Sequence, residues 1–235
     1  MNIALFGYGK MGQMLEKIGV QRGHTVTARI DKVSEVATLD FAAIDVAIDF
    51  STPEAAFENI RLCLENHIPV ISGTTGWLHH YETALSLCKK NHGAFLYASN
   101  FSLGMNLFFA LNQKLAAMMA PLKDYQVALE EIHHTQKLDA PSGTAITLAE
   151  GIIENSDYKA WKLTEAKQNE IPITAIREGQ IPGTHTITYS SSVDDIQIQH
   201  MAHNREGFAM GAMVAAEWIL GKTGVFSMKD VLNIG

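Results

Sequence analysis
Sixteen residues in the middle of the chain, EEIHHTQKLDAPSGTA from Glu130 to Ala145, concentrate groups that can move protons and hold anions. Histidine exchanges protons near neutral pH, so His133 and His134 are candidates for a general acid and a ligand. Lys137 is a fixed cation that can also donate a proton. PSGTA opens a helix. The N–H groups of Gly143 and Thr144, with the hydroxyls of Ser142 and Thr144, can hold a carboxylate at the positive end of the helix dipole. An acid, a cation and an anion cradle suit a small acidic substrate that takes up a proton. No metal is expected, because adjacent histidines do not readily ligate one ion and no cysteine or H-x-x-x-H partner lies near. His79 and His80 form a second pair. No cation or anion cradle accompanies them, and they read as helix surface.

The second concentration of chemistry lies at the N-terminus. FGYGKMGQM places Gly7, Gly9 and Gly12 in a G-x-G-x-x-G between an apolar run and a helical pattern. Such glycines permit a tight turn and close approach of the backbone to a pyrophosphate at a helix N-terminus. Asp31 follows about 20 residues later, where an acid can bind the adenosine ribose hydroxyls. Its charge repels a 2′-phosphate, whereas Lys10 and Lys32 attract one. The reading is therefore NADH or NADPH, with mixed use expected. The turns SGTTGW (72–77) and YASNFS (97–102) end predicted strands on the same sheet edge, and Gly73, Thr74 and Thr75 can approach the nicotinamide end. A nicotinamide carrier beside a proton-donating anion site means hydride reduction with general-acid assistance.

These groups need elements to position them. Residues 2–7, 25–31, 45–51, 68–73 and 94–99 read as strands, and 10–21, 53–66 and 78–91 as helices. Pro53 in a first helical turn costs little. The alternation predicts an α/β, Rossmann-type doubly wound parallel sheet. The pattern changes after Asn100. A helix over 104–120, a strand over 124–132 and a helix from 143 to 154 precede two or three strands within 171–203, joined by REGQIPGTH and SSVDD. In DIQIQHMAH, Ile196, Ile198 and His200 share one face, and Gln197, Gln199 and Met201 the other. The last thirty residues return to helix, where Ala209, Gly211, Ala212, Ala215 and Ala216 permit close approach to a partner element. The second half thus predicts an α+β domain with an open mixed sheet.

Bulk properties bound the function. The chain has 235 residues, 47% hydrophobic and 18% charged, enough to bury a core. A net charge of −7 without like-charge blocks argues against a nucleic-acid partner. No apolar run approaches the roughly 20 residues that span a membrane. The start MNIALFGYGK lacks a basic leader, and Cys63 and Cys88 read as reduced buried thiols in helices, so a cytoplasmic protein is expected.

The stretch from Glu130 resembles the signature E-x-H-H-x-x-K-x-D-A-P-S-G-T-A of the dihydrodipicolinate (4-hydroxy-tetrahydrodipicolinate) reductases, enzymes of the diaminopimelate branch of lysine synthesis. The glycine loop, GTTG, SNFSLGMN, IREGQIPGTHT and GAMVAAEWILGKTGVFSMKDVL follow in family order. The resemblance implies reduction of a cyclic dicarboxylate to tetrahydrodipicolinate with NADH or NADPH. It implies that His133 is the general acid, Lys137 the second catalytic residue, His134 a substrate ligand, and Gly143 and Thr144 a carboxylate site. It also implies cofactor contacts from Gly7, Tyr8, Gly9, Lys10, Met11 and Gly12, from Asp31 and Lys32, from Gly73 to Thr75, and from Ala98, Ser99, Asn100 and Phe101. Two departures, in this loop and in the Asp31–Asp45 spacing, touch the cofactor. GYGKMG is one residue shorter than the family's usual loop and carries Lys10 for an arginine. Only thirteen residues separate Asp31 from Asp45, so a crossover helix there must be short or absent.

Residues 1–102, completed by 206–235, are expected to bind the dinucleotide, and 103–205 to bind substrate and oligomerise, with hinges near Ser99–Ser102 and Asn204–Gly207. The family's homotetramer, built through the second sheet, is expected here. Two other readings share the glycine loop: a different two-domain nicotinamide reductase of an amino-acid precursor, which would lack the H-H-x-x-K-x-D-A-P-S-G-T run, and a non-catalytic nicotinamide sensor, which should have lost His133 or Lys137.

Overall fold
In a computed structural model, described for residues 1–31, 39–204 and 206–234, the chain divides into two units. Met1–Leu103 with Glu206–Gly235 form the first, and Gly104–Arg205 the second.

The first unit is built on six parallel strands: β1 (Asn2–Phe6), β2 (Thr25–Ile30), β3 (Val46–Asp49), β4 (Val70–Ser72), β5 (Ala94–Tyr97) and β11 (Gly224–Phe226). Their order is β11-β5-β4-β3-β1-β2. The central strands β1, β3, β4 and β5 are buried on both faces, which is why their runs are continuously apolar, whereas the edge strands β2 and β11 are partly exposed. Successive residues still face opposite ways. Ile3 and Leu5 of β1 join a core with Leu15 and Ile18 of α1 (Lys10–Gln21) and with Ala212, Met213 and Ala216 of α6 (Glu206–Ile219). Ala4 and Phe6 join the opposite core with Ile60 and Cys63 of α2 (Pro53–Glu65) and Cys88 of α3 (Tyr81–Lys90). Small residues on α6 bring it onto backbone: a Cβ on Gly211 would lie 1.8 Å from the Phe101 carbonyl oxygen. Among the described residues between β2 and β3 there is only a 3-10 turn, Phe41–Ala43, with no α-helix. Lys32 lies outside the described residues. His79 and His80 are exposed, as expected, but sit on a 3-10 turn (Leu78–His80) before α3. Both cysteines are free and buried.

The second unit is a five-stranded mixed sheet ordered β10-β9-β6-β8-β7. Its strands are β6 (Gln126–His133), β7 (Ala160–Leu163), β8 (Glu170–Arg177), β9 (Gly183–Ser190) and β10 (Asp195–Ala202). β6 pairs antiparallel with β9 and parallel with β8. Two helices, α4 (Leu103–Met119) and α5 (Gly143–Glu154), supply Met105, Phe108, Leu148 and Ile152 to a core shared with Val127, Leu129, Ile173 and Ile187. The strict alternation of β6 puts Val127, Leu129, Glu131 and His133 on that inward face. Beyond these elements the sequence reading missed β7, β11 and the short terminal helix α7 (Met228–Leu232).

Candidate active site
Strand register gathers the glycine loop and the later turns of the first unit. Ile30, Phe6, Asp49, Ser72 and Tyr97 are register partners across β2, β1, β3, β4 and β5. The residues that follow them, Asp31, Gly7, Phe50, Gly73 and Ala98, therefore emerge along one carboxyl edge. Strand order reverses at β1, and ligands of such sheets bind in the crevice outside a reversal. A cavity of about 700 Å³ lies there, lined by Gly7, Gly9, Asp31, Phe50, Ser51 and Asn59, among others.

The glycines are required by geometry. Gly7 has φ +87°, and a Cβ there would lie 2.2 Å from the Phe50 carbonyl oxygen. On Gly12 a Cβ would lie 2.3 Å from the Gly7 oxygen. Gly9 caps α1 with no side chain and open space before it, so the first helical N–H groups remain available to a phosphate. Tyr8 N–H donates to Asp31 Oδ1 at 3.3 Å, which ties the loop to the acid. Tyr8 and Arg29 both donate to Glu16, and these bonds hold the Glu16 carboxylate down to about 2. Lys10 is exposed and Met11 half-buried.

Two of the expected contact residues point inward instead. Thr74 is buried, donating to Asp49 Oδ2 at 2.7 Å and accepting from Ser51 N–H. The Phe101 side chain lies in the core, 5.7 Å from the Phe50 ring. Thr75 and Ser99 are exposed, and Asn100 accepts from Ser102 N–H through its side chain. The organiser of this edge is Asp49, which the sequence reading did not single out. Fully buried, it accepts bonds from Ser51 Oγ, Asn59 Nδ2, Ser72 Oγ and Thr74 Oγ1. Burial nevertheless dominates and raises its carboxyl above the usual range.

In the second unit the inward stripe of β6 turns polar at its end, at Glu131 and His133. Cross-strand pairing sets His185 of β9 opposite Glu131 and Arg177 of β8 opposite His133. Glu131 Oε1 accepts from Ser142 N–H at 2.9 Å and from Arg177 Nη2 at 3.0 Å. Its other oxygen, Oε2, lies 3.3 Å from His133 Nδ1 and 3.7 Å from His185 Nε2, ion-pair distances short of well-aligned hydrogen bonds. Burial alone would raise the Glu131 carboxyl, but His133, Ser142 and Arg177 together bring it down to about 2. Burial, then the neighbouring His133, pushes the His185 imidazole down to about 4, so it is neutral at neutral pH.

The loop after β6 carries the remaining residues. His134 is half-buried, and its N–H bonds to the Ile181 carbonyl. Lys137 Nζ pairs with Asp139 Oδ1 at 2.8 Å. Ser142 is buried as the N-cap of α5: its hydroxyl accepts from Ala145 N–H and lies 3.3 Å from His185 Nε2. Its oxygen is thus engaged inside the protein. Gly143 is exposed with open space around its Cα, and the N–H groups of Gly143 and Thr144 have no carbonyl within the helix to bond. Glu131, His133 and His185 also offer ligand-type atoms within 4.8 Å of one another, a grouping that adjacent-histidine reasoning could not see. The Arg177 guanidinium already supplies positive charge to that carboxylate.

Sequence reasoning missed Glu131, Arg177 and His185. Glu131 was within reach, since it lies two residues before His133 on a strand and so shares its face. Arg177 and His185 come from strands whose pairing is not encoded locally.

Comparison with known proteins agrees with both halves. Residues 1–101 match the model described as dihydrodipicolinate reductase, N-terminus, and residues 104–232 the one described as dihydrodipicolinate reductase, C-terminus. A 4-hydroxy-tetrahydrodipicolinate reductase of Christiangramia forsetii is 60% identical over 99% of this chain and 98% of its own length. One of Methanoregula boonei is 34% identical over 96% and 95%. The dipicolinate-bound dihydrodipicolinate reductase of a Paenisporosarcina species superposes with a TM-score of 0.79 at 25% identity, covering 97% of each chain. With both units matched end to end, the chain belongs to the dihydrodipicolinate reductase family.

Proposed function
We propose that the protein reduces 4-hydroxy-tetrahydrodipicolinate to tetrahydrodipicolinate, with loss of water, using NADH or NADPH. The observation that carries the reading is the end of β6, where His133 sits 7% exposed on the inward face, followed by Lys137 and by the open first turn of α5.

When bound, a reduced nicotinamide dinucleotide supplies the hydride. Gly7, Gly9 and the start of α1 would hold its pyrophosphate, and Asp31 its ribose. A tight turn in which Gly7 and Gly12 pack against backbone and Gly9 opens on free space at the start of α1 fits such a group. In the second unit, Lys137, His134 and the N–H groups of Gly143 and Thr144 take the two substrate carboxylates. Ser142 contributes by capping the helix that presents those N–H groups. Lys137 exchanges Asp139 for a substrate carboxylate on binding, since both compete for one ammonium. His133 then protonates the enamine left by hydride addition and is reprotonated from solvent.

A homotetramer formed through the second sheet accompanies this reading. Met201 is 55% exposed on the face of the edge strand β10 away from Ile198 and His200, apolar area that a sheet-to-sheet contact would cover. Sedimentation velocity gives the assembly directly.

The test is an assay with freshly generated substrate, following oxidation of the reduced nicotinamide. His133→Gln should lower kcat by about 10²–10⁴ while NADH still binds. A variant retaining near wild-type kcat would remove His133 from the mechanism.

A further inference from the structure
The reading above uses His133 as the acid but leaves the buried carboxylate behind it without a task. Glu131 has no exposed surface and is bonded on one oxygen only, by Arg177 and the Ser142 N–H. Its second oxygen has no hydrogen-bond partner among the described residues and lies nearer to His133 Nδ1, at 3.3 Å, than to His185 Nε2, at 3.7 Å. On the opposite edge of that ring, a Cβ on Gly183 would lie 3.0 Å from His133 Nε2, so the glycine leaves that nitrogen uncovered. His185 closes the flank, its ring nearly perpendicular at 5.1 Å.

We propose that Glu131 is the positioning residue of this site: its carboxylate holds the Nδ1 edge of His133 and leaves Nε2 as the atom that delivers the proton. This rests on His133 acting as the acid. A carboxylate favours an N–H on the nitrogen it faces and stabilises the charged ring. Nδ1 therefore keeps its proton in both states of the ring, and only the Nε2 proton is exchanged with substrate and solvent. Arg177 and the Ser142 N–H hold the carboxylate ionised and fixed, so the orientation does not depend on solvent. The charged and titratable groups around the pair are Arg177 on β8, Lys137 in the following loop, and His185 and His200 on β9 and β10. Burial keeps both of these histidines toward their neutral forms, which leaves His133 as the ring that the carboxylate serves.

The experiment compares wild type, His133→Gln and Glu131→Gln as full chains over a range of pH, with kcat and KM measured separately. A general acid must be protonated, so kcat falls on the alkaline side. An opposite charge within about 4–6 Å moves such a protonation by roughly 1–3 pH units. Glu131→Gln should therefore move the alkaline limb at least about one unit toward acid, with kcat above that limb down about tenfold per unit and KM within about threefold of wild type. A kcat lowered by the same factor at every pH, or an unmoved limb, overturns the proposal. If the variant does not fold, wild type alone decides. In ¹⁵N-histidine spectra, with His133 assigned by its loss in His133→Gln, the neutral ring should carry its proton on Nδ1. A neutral Nε2–H tautomer overturns the inference. Loss of activity in His133→Gln with an unmoved limb in Glu131→Gln would sink this inference alone, whereas retained activity in His133→Gln would sink the reading beneath it.

Discussion
Replacing Asp49 with alanine should unfold the carboxyl edge of the first sheet before it affects anything else. The carboxyl group is fully buried and accepts four side-chain donors. Two of these, Ser72 and Thr74, are themselves buried and have no route to water once the acceptor is gone. Ser51 and Asn59 are half-buried, bond to each other at 3.0 Å, and can recover. Each stranded donor costs about 1–3 kcal/mol, so the expected loss is about 2–6 kcal/mol. For a chain of this size, at about 2–4 °C per kcal/mol, that is a fall in Tm of about 4–24 °C. Asp49→Asn keeps the shape and one acceptor oxygen, and the hydroxyls can turn to accept from its amide, so about 1–2 kcal/mol is expected. The pH dependence separates the two. Burial raises the folded-state value of Asp49 above its usual 3.8, so the native protein binds this proton more tightly than the unfolded chain does. Ionising it therefore costs stability as pH rises from 3.8 through the raised value, and the advantage of wild type over Asp49→Asn should shrink across that window. Calorimetry and urea unfolding between mildly acidic and neutral pH measure both effects. A loss below about 1 kcal/mol in Asp49→Ala would refute the reasoning, because the four bonds would then carry no net weight.

Other outcomes follow from the same geometry. Gly9→Ala meets nothing within 4 Å, so Tm should hold while NADH affinity falls about tenfold or more in a fluorescence titration. Gly12→Ala, with its Cβ 2.3 Å from the Gly7 oxygen, should lose both affinity and Tm. In the proposed mechanism Lys137 meets a substrate carboxylate, so Lys137→Ala should show kcat lowered and KM raised together in steady-state kinetics. Arg22 and His24 bind Glu217 of α6 and hold its carboxyl down to about 2. The stabilisation is present above the unfolded value near 4.5 and is lost as pH falls toward 2, so Glu217→Gln should flatten acid unfolding in that window.

Much of this protein was legible locally. Apolar runs punctuated by Gly7, Pro53 and Gly73 sufficed for the βα units, because a strand buried on both faces must be apolar throughout. H-H-x-x-K with P-S-G-T placed an acid, a cation and a helix start in one short segment, since an N-cap and a strand end are local features. The short strand β7 and the three-residue β11 escaped notice because neither carries an apolar period long enough to read. Tertiary structure alone decided which residues stand behind these groups. Asp49 became the knot of the dinucleotide edge only when β3 and β4 were laid side by side with Ser72 and Thr74 turned inward. Ser142 reads as a ligand in one dimension, yet its hydroxyl is consumed as a cap beside His185. The alliance of Glu131 with Arg177 and His185 depends on β6 lying between β8 and β9. Strand order is set by long-range burial, whereas propensity and spacing act only over a few residues, so His133 could be singled out within its own segment while Arg177 and His185 could not.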